Sequence, residues 1–470
     1  MLRSVGRGLA WIAESPARRV ARYVLPERLK TRLIGLVLAA DAIVPQVQQP
    51  GALSESPPLL PPHAFNARHV VLINSALAWG GAERQVVNLL LGLNERGLNA
   101  ELICLRLGDT PDHDFYRAAL GGISARNAMS SMQARRILRE WPRAQRQRIK
   151  ALIAGLPHSV GAETLRLLAE FLRIRPGVVH AWQDGASIAA GFAARIAGVP
   201  RIVLSSRNVN PSHFAYHRSY MSTAYQQLIS CPEIAFVNNS AFGCRDYAGW
   251  LQVGADRFRV HRNGIDVSHL QEPDPIRVAA LARTLGVPSS APVVGSIFRF
   301  YLEKQPLLWL EMAASVRAQM PEVHFVVFGV GPLKKEFERR AESLGLAGQM
   351  HCPGTTTDPA LALQLFDVFV LASKHEGTPN VVLEASTLGV PVVLTSAGGA
   401  AESILPGQTG LLSEDNDPNE LAGLVLQVLS DDDWKTRAKS SGPAFVQHKF
   451  GLQRMIDEAL ALYDLHLGAR

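Results

Sequence analysis

The stretch "DVFVLASKHEGTPNVVLEASTLGVPVVLTS", residues 367–396, predicts a complete strand–helix–strand unit. Two nearly continuous apolar runs, 367–373 and 390–396, have the length and composition of buried strands. Between them, the Gly-Thr-Pro-Asn turn at 377–380 leads into apolar residues at helical spacing. Apolar strands that are joined by helices are typical of a parallel sheet covered by helices on both faces.

The same alternation runs through most of the chain before this unit. Further strands are predicted at 69–77, 100–107, 177–182, 201–206, 234–239, 291–300 and 323–329. Because 470 residues exceed one ordinary hydrophobic core, the pattern predicts an α/β protein of two doubly wound, Rossmann-like domains that face a central cleft. Ligands of such sheets bind beyond the carboxyl ends of the strands, so the turns that follow the strands are the candidate sites.

Composition shifts divide the chain into five predicted segments. An Arg-rich start with apolar residues at helical spacing predicts a basic helical extension, and a Pro-rich stretch after it is typical of a linker. The turn residues near 261–270 separate the two halves. The predicted segments are the basic amphipathic extension 1–45, the linker 46–67, the N-terminal domain 68–262, the C-terminal domain 263–445, and a C-terminal helix, 446–470, that packs back on the N-terminal domain.

Several classes of protein are disfavoured by composition. The four cysteines have no paired C-x-x-C spacing, which argues against a disulfide framework and a thiolate zinc site and favours a reducing compartment. No uncharged apolar run reaches the length of about 18 residues that a membrane helix requires. A cleavable secretory signal is not expected, because further Arg residues precede the late apolar stretch at 33–44.

Positive charge is concentrated in two segments. Residues 1–32 carry eight basic side chains against two acidic ones, and residues 126–150 carry eight against one. Trp11, Tyr23 and Trp141 are interleaved with these charges. An anionic membrane surface is the favoured partner, since cations and interfacial aromatic residues together bind such surfaces. A solvated helical face and a nucleic-acid patch are the alternatives.

Three turns after predicted strands could receive an anion. Gly80 and Gly81 lie directly before a helix and permit close approach of the backbone. Arg299 and Lys304 follow the strand at 291–300 and could bind a diphosphate. Gly329 opens a third turn, which lacks a full G-x-G-x-x-G pattern. For each of these turns taken alone, the alternative is a purely structural role, as a glycine that is required for steric reasons or as a solvated loop.

The fourth turn, at 376–384, combines two carboxylates with a helix start. Thr378 is predicted to be the N-cap and Pro379 the first helical residue, which leaves the N–H groups of 380–382 at the positive end of a helix dipole. Glu376 precedes this anion site and Glu384 follows it. Carboxylates accept hydrogen bonds from hydroxyls, so the pattern fits a phosphate flanked by hydroxylated groups, as in a nucleotide sugar.

The segment "EGTPNVVLEA", 376–385, resembles the Glu-x7-Glu signature of family 4 retaining glycosyltransferases of the GT-B fold. The early "GGAE" at 80–83, the Arg299 and Lys304 pair, "GQTGLL" at 407–412 and the C-terminal helix at 450–465 also resemble that family. The resemblance covers about residues 68–465, and it is greatest to members that build bacterial capsule or exopolysaccharide.

The resemblance implies a hexosyltransferase that moves a sugar, with retained anomeric configuration, from a UDP-linked donor to a lipid-linked or polysaccharide acceptor. It implies that the N-terminal domain binds the acceptor and the C-terminal domain the donor. No metal or other cofactor and no nucleic acid is expected, and the basic segments predict a cytoplasmic location, peripheral on the inner face of a bacterial inner membrane. The implied catalytic residues are Glu376, Arg299 and Lys304; the donor-binding residues are Gly80, Gly81, Gly329, Gly377, Thr378, Pro379, Asn380, Val381 and Glu384; the candidate acceptor or sugar contacts are Glu83, His180, Gln183 and Asp184.

Two rival functions fit the sequence less well. An epimerase-type nucleotide-sugar enzyme would need an NAD fingerprint, and the G-x-G-x-x-G pattern is absent from the sequence. An Arg-rich nucleic-acid-binding protein would have no use for paired carboxylates in a cleft. The acidic triplet 431–433 favours a capped surface turn over a metal site.

Overall fold

Two parallel β-sheets, each covered by helices, form the protein. The computed structural model describes residues 51–268 and 270–465. The first sheet has seven strands in the order β3-β2-β1-β4-β5-β6-β7, and the second has six in the order β10-β9-β8-β11-β12-β13. All of the strand pairs are parallel. The predicted α/β fold with two Rossmann-like sheets is confirmed.

The N-terminal half is built around β1 and β4, which pair at its centre. Every residue of β4 is buried, because helices cover both faces of the sheet. The strands are β1 (Asn66–Asn74), β2 (Asn99–Cys104), β3 (Ala125–Asn127), β4 (Pro176–Trp182), β5 (Arg201–Ser206), β6 (Ile234–Asn238) and β7 (Phe258–Val260). The helices are α1 (Ala52–Glu55), α2 (Gly81–Glu95), α3 (Ser131–Arg139), α4 (Arg143–Leu152), α5 (His158–Ile174), α6 (Asp184–Ala197), α7 (Tyr220–Ile229) and α8 (Ala241–Leu251).

The C-terminal half repeats the architecture around β8 and β11. The strands are β8 (Val293–Ile297), β9 (His324–Phe328), β10 (Met350–Gly354), β11 (Val368–Leu371), β12 (Val392–Thr395) and β13 (Gly410–Ser413). The helices are α9 (Pro275–Leu285), α10 (Pro306–Gln319), α11 (Lys334–Ser343), α12 (Pro359–Gln364), α13 (Asn380–Thr387), α14 (Pro418–Leu429), α15 (Asp433–Phe450) and α16 (Leu452–Leu462).

Four strands were missed by the sequence patterns, and all four lie at the edges of the sheets. These are β3, β7, β10 and β13, which have three to five residues each. An edge strand has a neighbour on one side only and is short, so its apolar run is too brief to be distinguished from a loop. The central strands were predicted because both of their faces are buried.

The two chain ends of the described region pack against the N-terminal sheet. Within the stretch interpreted as a linker, Leu53 is 1% exposed, and the Leu59 and Leu60 amides donate to the end of α6. The described part of that stretch is therefore packed rather than extended. At the other end, α16 lies against α2, and a Cβ on Gly92 would come within 2.1 Å of Ile456. The basic extension, 1–45, lies outside the described residues.

Candidate active site

The turn before α13 joins the two halves of the molecule through Asn380. Its side-chain amide donates to the Gly81 carbonyl at 3.1 Å, and its carbonyl oxygen accepts from Asn263 at 2.6 Å and from Gln85 at 3.3 Å. Gly81 begins α2 at the carboxyl end of β1, whereas Asn380 begins α13 after β11. The glycine turn and the Gly-Thr-Pro-Asn turn therefore meet across the cleft, although 299 positions separate Gly81 from Asn380.

Thr378 does not cap α13, which corrects the prediction from sequence. Pro379 is the N-cap residue and has no side chain that could accept a hydrogen bond. The Thr378 hydroxyl instead donates to the Asn239 carbonyl of the N-terminal half at 2.8 Å. The N–H group of Val382 is also not available, because it donates to the Pro379 carbonyl at 3.2 Å. Thr378 thus holds the two halves together rather than starting the helix.

Gly377 lies where the backbones of the two halves come close together. A Cβ at this position would be 2.7 Å from the Arg207 carbonyl oxygen and 2.4 Å from the Asn239 side-chain oxygen. Real Cβ atoms are not found this close to backbone oxygen atoms, so any larger residue would push the halves apart. The glycine is thus required by contact between the halves.

Glu376 is nearly buried at the carboxyl end of β11. The residue is 6% exposed, and one of its carboxylate oxygens accepts a hydrogen bond from the Ser373 hydroxyl at 2.7 Å. The same oxygen forms an ion pair with the Lys304 ammonium. The structure therefore brings together two of the three predicted catalytic residues.

Glu384, the second carboxylate of the signature, lies on α13 and pairs across the cleft. Its side chain is 4% exposed, and its carboxylate forms an ion pair with Arg84 of α2. Sequence reasoning did not select Arg84, although it directly follows the "GGAE" turn at 80–83. A cation next to a predicted anion site could have marked Arg84 as a candidate. Its partner Glu384 could not be inferred in the same way, because it is 300 residues away.

Arg299 lies on the C-terminal side of the cleft and is exposed. Its guanidinium carbon is 5.2 Å from the centre of the Tyr301 ring, and the described part of the chain offers it no ion pair. Gly329 lies nearby, since a Cβ on it would be 1.8 Å from the Phe298 carbonyl oxygen. Gly329 has φ +148, so both its conformation and its close packing against the β8 loop require glycine.

Glu83 and Gln183 meet on the N-terminal side of the cleft. The Gln183 amide donates to the Glu83 carboxylate at 2.9 Å. Burial raises the pKa of Glu83, and its own backbone, Gln183 and the charge of Arg299 oppose that shift. Gln183 has φ 67, an unusual conformation for a residue with a side chain, directly after β4. The structure therefore brings these two candidate sugar contacts together.

Asp184 is placed in the protein interior instead of at the cleft surface. Its carboxylate accepts hydrogen bonds from Tyr225 at 2.8 Å, Tyr247 at 2.6 Å and Tyr216 at 3.5 Å. Burial raises the pKa of this carboxyl, and the tyrosine hydrogen bonds partly offset the shift. With three hydroxyls directed at it, Asp184 holds α6, α7 and α8 together.

His180 is also buried. Its ring is 0% exposed, and Nδ1 lies 2.7 Å from the Tyr463 hydroxyl, beyond the end of α16. Burial and the neighbouring His261 hold the pKa of His180 well below its usual range. The residue was predicted from its place near the end of a strand, but its side chain points towards the C-terminal helix.

Neither a metal cluster nor a membrane span is evident where the structure is described. In residues 51–268 and 270–465, no three His, Cys, Asp or Glu side chains are grouped so that they could hold a metal ion. No helix in the same ranges has both the length and the apolar character needed to cross a bilayer.

Two family models together match most of the chain. The model "Glycosyltransferase Family 4" matches residues 79–269, and "Glycosyl transferases group 1" matches residues 279–444. Their boundary falls between the two sheets, and the two matches include the turns that meet at the cleft. The chain belongs to the family 4 glycosyltransferases of the GT-B fold. The resemblance inferred from the sequence is confirmed.

Relatives of this glycosyltransferase include proteins of bacterial polysaccharide synthesis. It is 29% identical over 428 residues to the Vi polysaccharide biosynthesis protein VipC/TviE of Salmonella typhi, covering 86% of this chain and 72% of that protein. It is 31% identical over 187 residues to the lipopolysaccharide core biosynthesis glycosyltransferase LpsE of Rhizobium meliloti, covering 40% of this chain and 54% of LpsE. The crystal structure of Anabaena Alr3699/HepE in complex with UDP superimposes with a TM-score of 0.67 at 19% identity, covering 84% of this chain and all of HepE.

Proposed function

We propose that this glycosyltransferase transfers a hexosyl group from a UDP-linked sugar to a lipid-linked or polysaccharide acceptor, with retention of anomeric configuration. The observation that carries the proposal is the position of Glu376 and Glu384. Both are buried at the cleft, on either side of the turn that contacts Gly81. The family membership and the Vi polysaccharide relative support a role in cell-surface glycan synthesis.

In the proposed mechanism, the C-terminal side of the cleft binds the donor. Glu384 accepts hydrogen bonds from the ribose hydroxyls, and Glu376 contacts hydroxyls of the transferred sugar. Arg299 and Lys304 stabilise the departing diphosphate, together with the positive end of the α13 dipole. The acceptor attacks on the face from which the diphosphate leaves, so the anomeric configuration is retained. Lys304 would have to exchange part of its contact with Glu376 for phosphate oxygens.

The donor nucleotide can be tested by its effect on the melting temperature. UDP is expected to raise it more than GDP, ADP or CMP, because a ligand that prefers the folded state stabilises it by mass action. The HepE complex with UDP motivates this order. A panel of the four nucleotides and their sugar conjugates is measured by thermal shift, and the product of any active donor is assigned by NMR. A larger shift with GDP, or a product of inverted configuration, would contradict the proposal.

We further propose that the reaction needs no metal ion. Arg299, Lys304 and the amino terminus of α13 provide positive charge where a divalent cation would otherwise be needed. Activity after dialysis against EDTA should equal activity with added Mg²⁺ or Mn²⁺. Loss of activity in EDTA that either ion restores would disprove metal independence.

The third part of the proposal is peripheral binding to the cytoplasmic face of a bacterial inner membrane. The second basic segment, 126–150, includes α3 and most of α4. The outer faces of these two helices expose Arg135, Arg139 and Arg143. Met132 on α3 is 82% exposed. These two helices and α5 also line a cavity of about 400 Å³ that is largely apolar. Exposed cations beside apolar surface are suited to an anionic bilayer.

Flotation with vesicles of anionic lipid can separate the two basic segments. The full chain is compared with a chain that begins at Gly51, which keeps the packed residues 51–65, and with an R135E/R139E/R143E variant. If 1–45 is the main anchor, the shortened chain should lose most of its binding, and high salt should weaken what the full chain retains. Equal flotation of the full and shortened chains would show that 1–45 is not the anchor.

A further inference from the structure

Arg84 supplies the charge that balances Glu384. It lies in the first turn of α2, its side chain is 30% exposed, and its guanidinium contacts one oxygen, Oε1, of the Glu384 carboxylate. Within the described ranges, no other side chain or backbone group forms a hydrogen bond or an ion pair with that carboxylate. The second oxygen is therefore available to another donor.

The pair spans the cleft, because α2 belongs to the N-terminal half and α13 to the C-terminal half. A carboxylate as buried as Glu384 is costly unless a cation or hydrogen-bond donors compensate its charge. Burial is the largest single effect on the pKa of Arg84 and lowers it, but the charge of Glu384, the Tyr116 hydroxyl and the hydrogen bond to Glu384 together outweigh burial, so the pKa is raised. The N-terminal half thus provides the counterion for a carboxylate of the opposite half.

We propose that Arg84 is a positioning residue for the donor. It holds Oε1 of Glu384, so that the second oxygen is presented to the ribose hydroxyls. This inference rests on the proposed contact between Glu384 and the ribose.

The contacts of the residues around Arg84 explain how its guanidinium can orient the Glu384 carboxylate accurately. Gln85 is next to Arg84. Its side-chain oxygen accepts a hydrogen bond from the Gly264 backbone amide at 2.7 Å, and its side-chain amide donates to the Asn380 side-chain oxygen at 3.3 Å. The backbone that carries Arg84 is therefore fixed against the same turn from which α13 starts. A guanidinium on a fixed backbone restricts the rotation of its carboxylate partner more than water would.

A double-mutant cycle on UDP binding tests the inference. R84A, E384Q and R84A/E384Q are compared by titration calorimetry with UDP and by steady-state kinetics with the UDP-sugar that the donor panel selects. R84A should weaken UDP binding and raise the donor KM about tenfold, with kcat changed less than threefold. In the E384Q background, adding R84A should change UDP affinity and the donor KM less than twofold, because Arg84 acts through the Glu384 carboxylate. R84K should recover part of the affinity.

The matched control is R96A, at the other end of α2. Arg96 also forms a half-exposed ion pair, with Asp457 at 2.8 Å, but on the side of α16. This variant should bind UDP like the parent protein. Circular dichroism and melting temperature confirm that each variant is folded.

Each outcome bears on one proposal or both. If E384Q weakens UDP binding but R84A does not, or if R84A costs the same in both backgrounds, the positioning role is wrong and the ribose contact stands. If UDP binds and E384Q has no effect, the ribose contact fails and the inference fails with it. If UDP does not bind to the parent protein, the proposed donor is wrong as well.

Discussion

Replacing Glu376 with Gln should lower kcat by about tenfold to a hundredfold, the loss expected when one charge-assisted hydrogen bond is removed from the transition state. Glu376 lies beside Lys304 and Ser373, and positive charge that develops on the transferred sugar would be stabilised by its carboxylate. Gln keeps the shape and can still accept from Ser373. The change therefore reports on charge more than on packing.

Glu384→Gln should behave differently, because the ribose contact is present in the ground state and in the transition state alike. We expect a higher donor KM with a smaller change in kcat. Steady-state kinetics of both variants are compared with Glu420→Gln, a carboxylate at the start of α14 that caps the loop after β13 and should leave both constants unchanged. If the Glu376 and Glu384 variants both match the parent enzyme, the spacing of the two carboxylates has no catalytic meaning.

Gly377→Ala should reduce kcat/KM by about a hundredfold, because a displacement of about 1 Å at a reacting centre can have that effect. The added Cβ would overlap the Arg207 carbonyl oxygen at 2.7 Å, which is backbone and cannot rotate away. The two halves would therefore be held apart, and groups from the N-terminal half would no longer reach the donor. Each half should remain folded, since the clash lies between them.

The control for this variant is Gly423→Ala in α14, where a Cβ would have no atom within 4 Å. Alanine is favoured over glycine inside a helix, so this variant should be as active as the parent and slightly more stable. Activity, melting temperature and UDP affinity are measured for both. Parental activity in Gly377→Ala would show that contact between the halves at this turn is not needed for transfer.

The signature turn could be predicted well because its geometry is local. Glu376 precedes the turn and Glu384 lies on α13, the short helix that follows the turn, so eight positions of sequence determine their separation. The Thr378 cap was predicted wrongly for a reason that sequence cannot show. Its hydroxyl has a partner at Asn239, and that contact across the cleft replaces the local one.

Among the N-terminal candidates, the sequence could not tell which polar side chains face the cleft. His180, Gln183 and Asp184 all lie at the end of β4, where ligands bind in such sheets. Gln183 points to Glu83, whereas Asp184 is enclosed by tyrosines and His180 by the C-terminal helix. Those enclosing residues are between 32 and 283 positions away along the chain, so no local pattern predicts them.

By itself, the sequence determined the two parallel sheets, the order of their central strands along the chain, and the turn that carries Glu376 and Glu384. These follow from periodicity and turn chemistry, which act over a few residues. Tertiary structure alone decided the partners of the site residues, above all Arg84 for Glu384 and Lys304 for Glu376. The physical reason is that these ion pairs join side chains 300 and 72 positions apart in the chain, so they depend on tertiary packing, which no short stretch of sequence encodes.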